Sequence, residues 1–226
     1  MIVLFYILVS TLLIGNILPL FSNKHWFFRG WDFARIQIWF VSVIALIIYF
    51  FINDEASTLV IVGLVISILS FIGNSIILLP YTPIFPVDSS SKNPSGKKKI
   101  SLISINVYQP NTHYSKLVNL INNYSPDIVL TMETNKSWEE GIAEIESDYP
   151  YIIKVPHENT YGMHLYSKLP IVSEEVNYHM NDEVPSLEVR IKDHEGQEFM
   201  FYGVHPPPPS PSEADTTKER DGELMV

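Results

Sequence analysis

Three long stretches without a charged residue lie within the first 87 residues: Met1 to Phe21, Ile36 to Ile52 and Ala56 to Val87. A hydrocarbon core of about 30 Å is crossed by roughly 20 helical residues, so each stretch is long enough to span it. In lipid the backbone has to satisfy its own hydrogen bonds, which makes helix the conformation to expect. The reading is a transmembrane region over residues 1–81 with spans near 1–21, 35–52 and 57–81. A cleaved secretion signal is the alternative for the first stretch, but it lacks a basic start and an obvious small-residue cleavage site.

The loop after the first span carries Lys24, Arg29 and Arg35 against Asp32 alone, while the next loop, Asn53-Asp54-Glu55, has no base. By the positive-inside rule the first loop is cytoplasmic. Three crossings then put the N-terminus outside and the C-terminal domain in the cytoplasm, on a multi-pass protein of the cell membrane. Trp26, Phe27, Phe28 and Trp31 suit the interfacial aromatic belt. Lys92, Lys97, Lys98 and Lys99 agree with this orientation or form a basic collar on lipid headgroups.

The remainder has a different composition. Residues 1–99 hold seven Lys and Arg against four Asp and Glu, whereas residues 100–226 hold eight against twenty-one, a net of −13. The absence of cysteine excludes a disulfide framework, a thiolate nucleophile and a Cys-ligated metal site. Residues 82–99, rich in Pro, Ser and Lys without apolar periodicity, read as a linker, and a folded domain starts at residue 100. Within it, Ile100 to Val107 and Asp127 to Met132 read as buried strands. Helices fit 113–124, with Leu117, Leu120, Ile121 and Tyr124 on one face, and 136–148, with Trp138, Ile142 and Ile145 inward. Strands follow at 151–155, 162–167, 171–177, 186–192 and 198–204, the last two joined by a turn at His194-Glu195-Gly196-Gln197. That order suggests helices outside a mixed sheet. No glycine-rich phosphate loop is present.

Three polar residues stand where strands run out: Asn106, Glu133 and His205. Singly, they read as a turn former, a solvated loop residue and a surface imidazole before proline. Together they suit a hard divalent metal and a phosphoester, because a carboxylate suits Mg²⁺ or Mn²⁺, an amide donates to phosphate oxygen, and an imidazole donates to a phosphoryl or leaving oxygen. The other histidines show no pair with metal-site spacing.

The blocks Ser-Ile-Asn106, Pro126-Asp-Ile-Val-Leu-Thr-Met-Glu133, Tyr161-Gly-Met-His-Leu-Tyr-Ser-Lys-Leu-Pro-Ile171 and Val204-His-Pro-Pro-Pro-Pro209 occur in this order. Together they resemble the N-terminal half of the endonuclease/exonuclease/phosphatase superfamily, in particular its bacterial multi-pass membrane branch. The resemblance implies a two-layer α/β sandwich of that type, partial over residues 100–226. It also implies that Glu133 ligates Mg²⁺ or Mn²⁺, that Asn106 contacts the metal-bound water or the phosphate, and that His205 stabilises the phosphoryl transition state. Gly162 and Ser167 are structural on this reading, and Met132 departs from the Gln common before the glutamate.

The family's later blocks, Gly-Asp-Phe-Asn-like and Ser-Asp-His-like, are absent from this chain. The expectation is therefore a C-terminally truncated domain whose apolar sheet face, with Leu165, Ile171, Val189, Phe199 and Phe201, lacks its covering sheet. Such a chain would be inactive or poorly folded unless a second polypeptide supplies the missing half. The function expected of the intact form is a membrane-anchored, metal-dependent phosphoesterase acting on a phosphoester or pyrophosphate, lipid-linked or small. A DNA or RNA nuclease of the same superfamily is the nearest alternative, disfavoured by the net of −13. The other is a non-catalytic membrane protein using Pro206–Pro209 and Pro211 as a docking segment.

Overall fold

The computed structural model of the chain describes residues 1–52, 57–85 and 99–225. The Asn53-Asp54-Glu55 loop, Lys92, Lys97, Lys98 and most of the expected linker lie outside the described residues. The chain divides into two compact units, residues 1–94 with 208–218, and residues 95–207 with 219–226.

The first unit is helical. Helix α1 (Ile2–Ile17) continues through a 3₁₀ turn to Leu20, and helix α4 (Thr58–Leu78) through another to Tyr81, giving apolar lengths of 19 and 24 residues. Both are long and apolar enough to cross a membrane. The middle span differs from expectation. It is a pair of helices, α2 (Trp26–Phe33) and α3 (Arg35–Tyr49), bent by 70°. Helix α3 alone has 15 residues, about 22 Å at 1.5 Å per residue, short of a hydrocarbon core. At the break Asp32 pairs with Arg35 at 2.9 Å and stands 3.8 Å from Arg29, so the charged groups of this stretch gather there.

Phe5, Leu12, Ile38, Ala45 and Val60 fill the core of the bundle. Polar contacts join its helices too. Asn16 Nδ2 donates to Ser70 Oγ at 2.9 Å, Asn74 Nδ2 donates to Asn16 Oδ1 at 2.9 Å, and Trp39 Nε1 donates to Ser75 Oγ at 2.8 Å. In an apolar medium such bonds each contribute about 1 kcal/mol to helix association. Residues 208–218 belong to this unit because Trp26 N donates to Asp215 O and Thr217 N to Lys24 O, both at 2.8 Å.

The second unit is a two-sheet α/β sandwich. Strands β1 (Leu102–Asn106), β2 (Ile128–Met132), β3 (Tyr151–Val155) and β4 (Met163–Ser167) form one sheet in the order β1-β2-β4-β3, with β1 and β2 parallel and the other pairs antiparallel. Strands β5 (Ile171–Asn177), β6 (Ser186–Lys192) and β7 (Glu198–Gly203) form a separate antiparallel sheet. Alternation along β2 and β4 sends Val129 and Tyr166 to one face, where helix α5 (Tyr114–Tyr124) and the short helix α6 (Lys136–Gly141) cover them with Leu117, Ile121, Trp138 and Ile142. The second helix is shorter than expected, since Ala143–Asp148 winds as 3₁₀, but Ile145 still points inward. Tyr124 does not join the buried face and is 73% exposed, and the helix ends at Ser125 in a left-handed cap.

The opposite face carries the main correction. Ile128, Leu130, Met163 and Leu165 meet Leu187, Val189 and Ile191 of the second sheet, with Ile171, Phe199 and Phe201 partly buried among them. Leu165 and Val189 are fully buried. The face expected to lie uncovered is thus covered by strands of the same chain, because the seven strands divide into four and three and their apolar faces cover each other. In the proline run Pro207 and Pro209 are buried while Pro208 and Pro211 are exposed, and Pro209 and Ser210 bridge back to Ala214.

Candidate active site

The site lies where β1, β2 and β7 end. Asn106 closes β1 and pairs in register with Met132, the last residue of β2. Met132 continues the inward alternation of its strand and packs on the inter-sheet core. Glu133 then leaves the strand with φ of 61°, and Tyr108 beyond Asn106 has φ of 58°. A left-handed backbone at non-glycine residues is costly and is found where surrounding structure imposes it. Here the constraint on Glu133 comes from its neighbour, since Thr134 N donates to Gly162 O at 3.0 Å and Thr134 O accepts from His157 N at 3.2 Å. A Cβ on Gly162 would fall on the Thr134 carbonyl oxygen, so glycine there permits this close approach.

His205 arrives from the other sheet. Gly203, the last residue of β7, lies against β2 and β4 so closely that a Cβ would sit 3.2 Å from Met163 Sδ and 3.4 Å from Leu130 Cδ1. This near contact draws the end of β7 towards the end of β2. Two residues further on, His205 Nε2 stands 3.9 Å from Glu133 Oε1.

The structure therefore brings Asn106, Glu133 and His205 together. Asn106 Oδ1 accepts from Tyr108 N at 2.9 Å, which turns its Nδ2 to donate to Glu133 Oε1 at 2.5 Å. Glu133 Oε2 accepts from Gln109 N at 3.3 Å. The side chains of Glu133 and His205 are 19% and 24% exposed, so the carboxylate is held yet reachable. The residue types missed at the sequence level are Gln109 and Tyr161. Gln109 is locked on both sides, its Nε2 donating to His157 O at 2.7 Å and its carbonyl accepting from Trp138 Nε1 at 3.2 Å. The Tyr161 ring centroid is 5.7 Å from that of His205. No sequence signal marks Gln109, because its backbone N–H holds Glu133.

The model of the Endonuclease/Exonuclease/phosphatase family matches residues 103–225, over half of the chain and including all three residues. The chain belongs to this family. No curated protein matches it. Similar solved structures include TDP2 of D. rerio complexed with single strand DNA product, 14% identical with TM-score 0.41, covering 47% of this chain and 45% of that one. An endonuclease/exonuclease/phosphatase from Bacteroides vulgatus is 14% identical with TM-score 0.46, covering 57% and 58%. A mannosyl-6-phosphatase from Bacteroides thetaiotaomicron is 17% identical with TM-score 0.38, covering 46% and 50%. The chain spans about half the length of the solved structures it matches.

Enzymes of the endonuclease/exonuclease/phosphatase family generally depend on a divalent metal. Among the described residues, no group of three His, Asp or Glu could hold a metal ion. What this family member offers a cation is one oriented carboxylate, with an amide and an imidazole beside it. That donor set fits Mg²⁺ or Mn²⁺ in its usual enzymatic form, which takes one or two carboxylates and completes its shell with waters and substrate phosphates.

Proposed function

We propose that the chain carries part of the active site of a membrane-anchored, metal-dependent phosphoesterase acting on a phosphoester or pyrophosphate, small or lipid-linked. The observation that carries this reading is the convergence of Asn106 and His205 on one oxygen of Glu133, at 2.5 and 3.9 Å. Glu133 holds the divalent ion, which when bound neutralises phosphate charge and favours attack by water. Asn106 Nδ2 orients the carboxylate and donates to a phosphate oxygen. His205, when protonated, donates to the phosphoryl or leaving oxygen. The Tyr161 ring and the rigid prolines after His205 limit where that imidazole can move.

The excess of acid over residues 100–226 repels a nucleic-acid backbone, and anchoring concentrates the site at the bilayer surface, so a lipid-linked or small phosphoester is favoured over DNA or RNA. The test is Mn²⁺ titration of the full chain followed by electron paramagnetic resonance. Glu133→Gln is expected to weaken binding at least about tenfold, roughly the effect of losing one charge-assisted ligand. Unchanged Mn²⁺ affinity in that variant would remove the metal assignment. In an enzyme form that turns over substrate, His205→Ala is expected to lower kcat about 100-fold while leaving Mn²⁺ affinity intact.

The same reading places the sandwich in the cytoplasm, from the excess of Lys24, Arg29 and Arg35 in the first loop. Alkaline phosphatase, active only in the periplasm, is expected to stay dark when fused after Val226; a bright fusion reverses the orientation.

A further inference from the structure

Helices α2 and α3 meet at 70°, so they do not form one straight rod. At about 1.5 Å per residue α2 is about 12 Å long, and at that angle it advances only about 4 Å along the axis of α3. Helix α2 therefore adds little to the length of a span, and the proposed hydrolysis does not use it.

Its place is fixed at the end of α1. Arg29 Nη1 donates to Pro19 O at 3.5 Å, in the 3₁₀ turn that closes the apolar length of 19 residues. The Phe21 and Phe28 rings meet edge-on, with centroids 5.9 Å apart. On its other side the start of α2 is bonded to a polar stretch: Trp26 N donates to Asp215 O at 2.8 Å, within a segment that carries Glu213, Asp215 and Lys218. Apolar helix on one side and polar chain on the other are the surroundings of a bilayer boundary.

The residues of α2 sort in the same way. Arg29 and Asp32, three apart, share one face and stand 3.8 Å from each other. Trp26, Phe27, Trp31 and Phe33 occupy the remaining arc of the helix. Trp31 packs on the bundle core, whereas Phe27 and Phe33 are 46% and 67% exposed. Exposed rings beside a charged face suit the headgroup level of a bilayer, where the rings enter the acyl boundary and the charges stay in water.

We propose that α2 lies in the plane of the membrane interface, with Phe27 and Phe33 inserted between headgroups and acyl chains, so that α3 alone makes the middle crossing. With α3 along the bilayer normal, α2 lies about 20° from the membrane plane. Local thinning of the bilayer absorbs the shortness of α3 at modest cost. The inference rests on α1 and α3 crossing a bilayer, as the anchoring part of the proposed function has it, and is independent of the chemistry at Glu133.

The chain has no cysteine, so single cysteines for nitroxide labels need no other change. The test places the full chain in phosphatidylcholine vesicles with Phe27→Cys, Phe33→Cys, Phe40→Cys or Ile44→Cys, all at exposed positions, and reads depth from collisions with oxygen and with a water-soluble nickel chelate. The labels at 27 and 33 are expected at the headgroup boundary and within about 3 Å of each other in depth, against about 9 Å for an upright helix. Those at 40 and 44 are expected in the acyl region, which also reports that the labelled chain has folded into the bilayer. A difference near 9 Å between 27 and 33 overturns the proposal in favour of a broken span or a re-entrant segment. Labels at 27 and 33 that meet only the nickel chelate put α2 in water and overturn it as well. Loss of oxygen contact at 40 and 44 too would remove the membrane-spanning reading along with the proposal, leaving Mn²⁺ binding at Glu133 untouched.

Discussion

Gly162→Ala is expected to destabilise the sandwich by about 3 to 4 kcal/mol, at the upper end of single-substitution effects and a large part of a typical domain's margin. The new methyl meets the Thr134 carbonyl oxygen and lies 2.6 Å from His157 N. Neither atom is the free end of a side chain. They are the acceptor and donor of the main-chain bond from His157 N to Thr134 O, and Thr134 N is in turn bound to Gly162 O, so relief requires moving the loop itself. Glu133 is the residue before Thr134, and its left-handed backbone leaves little room to compensate. Urea unfolding of the variant reads the loss, and weaker Mn²⁺ binding reads the displaced carboxylate. A stability change under about 1 kcal/mol would show that the loop adapts freely and that its geometry is not imposed by this contact.

The second large effect is acid sensitivity. His164 is buried at 0% exposure between the first sheet and its helices, with Nε2 making no hydrogen bond and Nδ1 3.3 Å from Tyr166 Oη. Burial pushes its imidazole down to about 4; the Glu139 carboxylate opposes this and Lys154 and Lys136 add to it. In the unfolded chain the ring takes a proton near its ordinary value of 6.5. As pH falls below that, the unfolded state binds the proton and the folded state does not, so stability declines. The contribution is complete above about 6.5 and lost once pH passes about 4, a change on the order of 3 kcal/mol. His164→Leu, which also removes the unpartnered nitrogen, is expected to show a flat stability profile across that window.

Two carboxylates also respond to acid, but lower. Asp127, raised by burial, is held below its ordinary 3.8 by hydrogen bonds from Ser101, and Glu139 is held below 4.5 by its bond to Lys136. Their stabilisation is lost only as pH falls through those depressed values. A wild-type profile already flat between pH 6.5 and 4 would mean that His164 is protonated in the fold.

Much of the element order was legible because it is local. The short apolar runs at 100–107 and 127–132, the strand at 186–192, and the inward spacing of Trp138, Ile142 and Ile145 depend on neighbours within a turn or two. The break between α2 and α3 was not legible from apolarity, which runs through both helices with little interruption. The covering of Leu165 by Val189 was not legible either. Alternation says that a face is apolar and is silent about which strands cover it. That was settled after β4, where Ser167 Oγ accepts from Leu169 N at 3.0 Å in a tight turn and the chain passes through Pro170 into a different sheet. Gln109 escaped notice because its contribution to Glu133 is a main-chain N–H that any residue type carries.

The sequence by itself determined two compositions in one chain, apolar stretches long enough to cross a membrane first and an acidic α/β domain after them, because hydropathy and period are properties of adjacent residues. It also marked Asn106, Glu133 and His205 as strand-end polar groups. Only the tertiary structure decided that these three meet, and that the stretch after the prolines pairs beside Lys24. Both are contacts across long chain separations, and they follow from how closely Gly203 lets one sheet approach the other and from backbone bonds that no residue type announces.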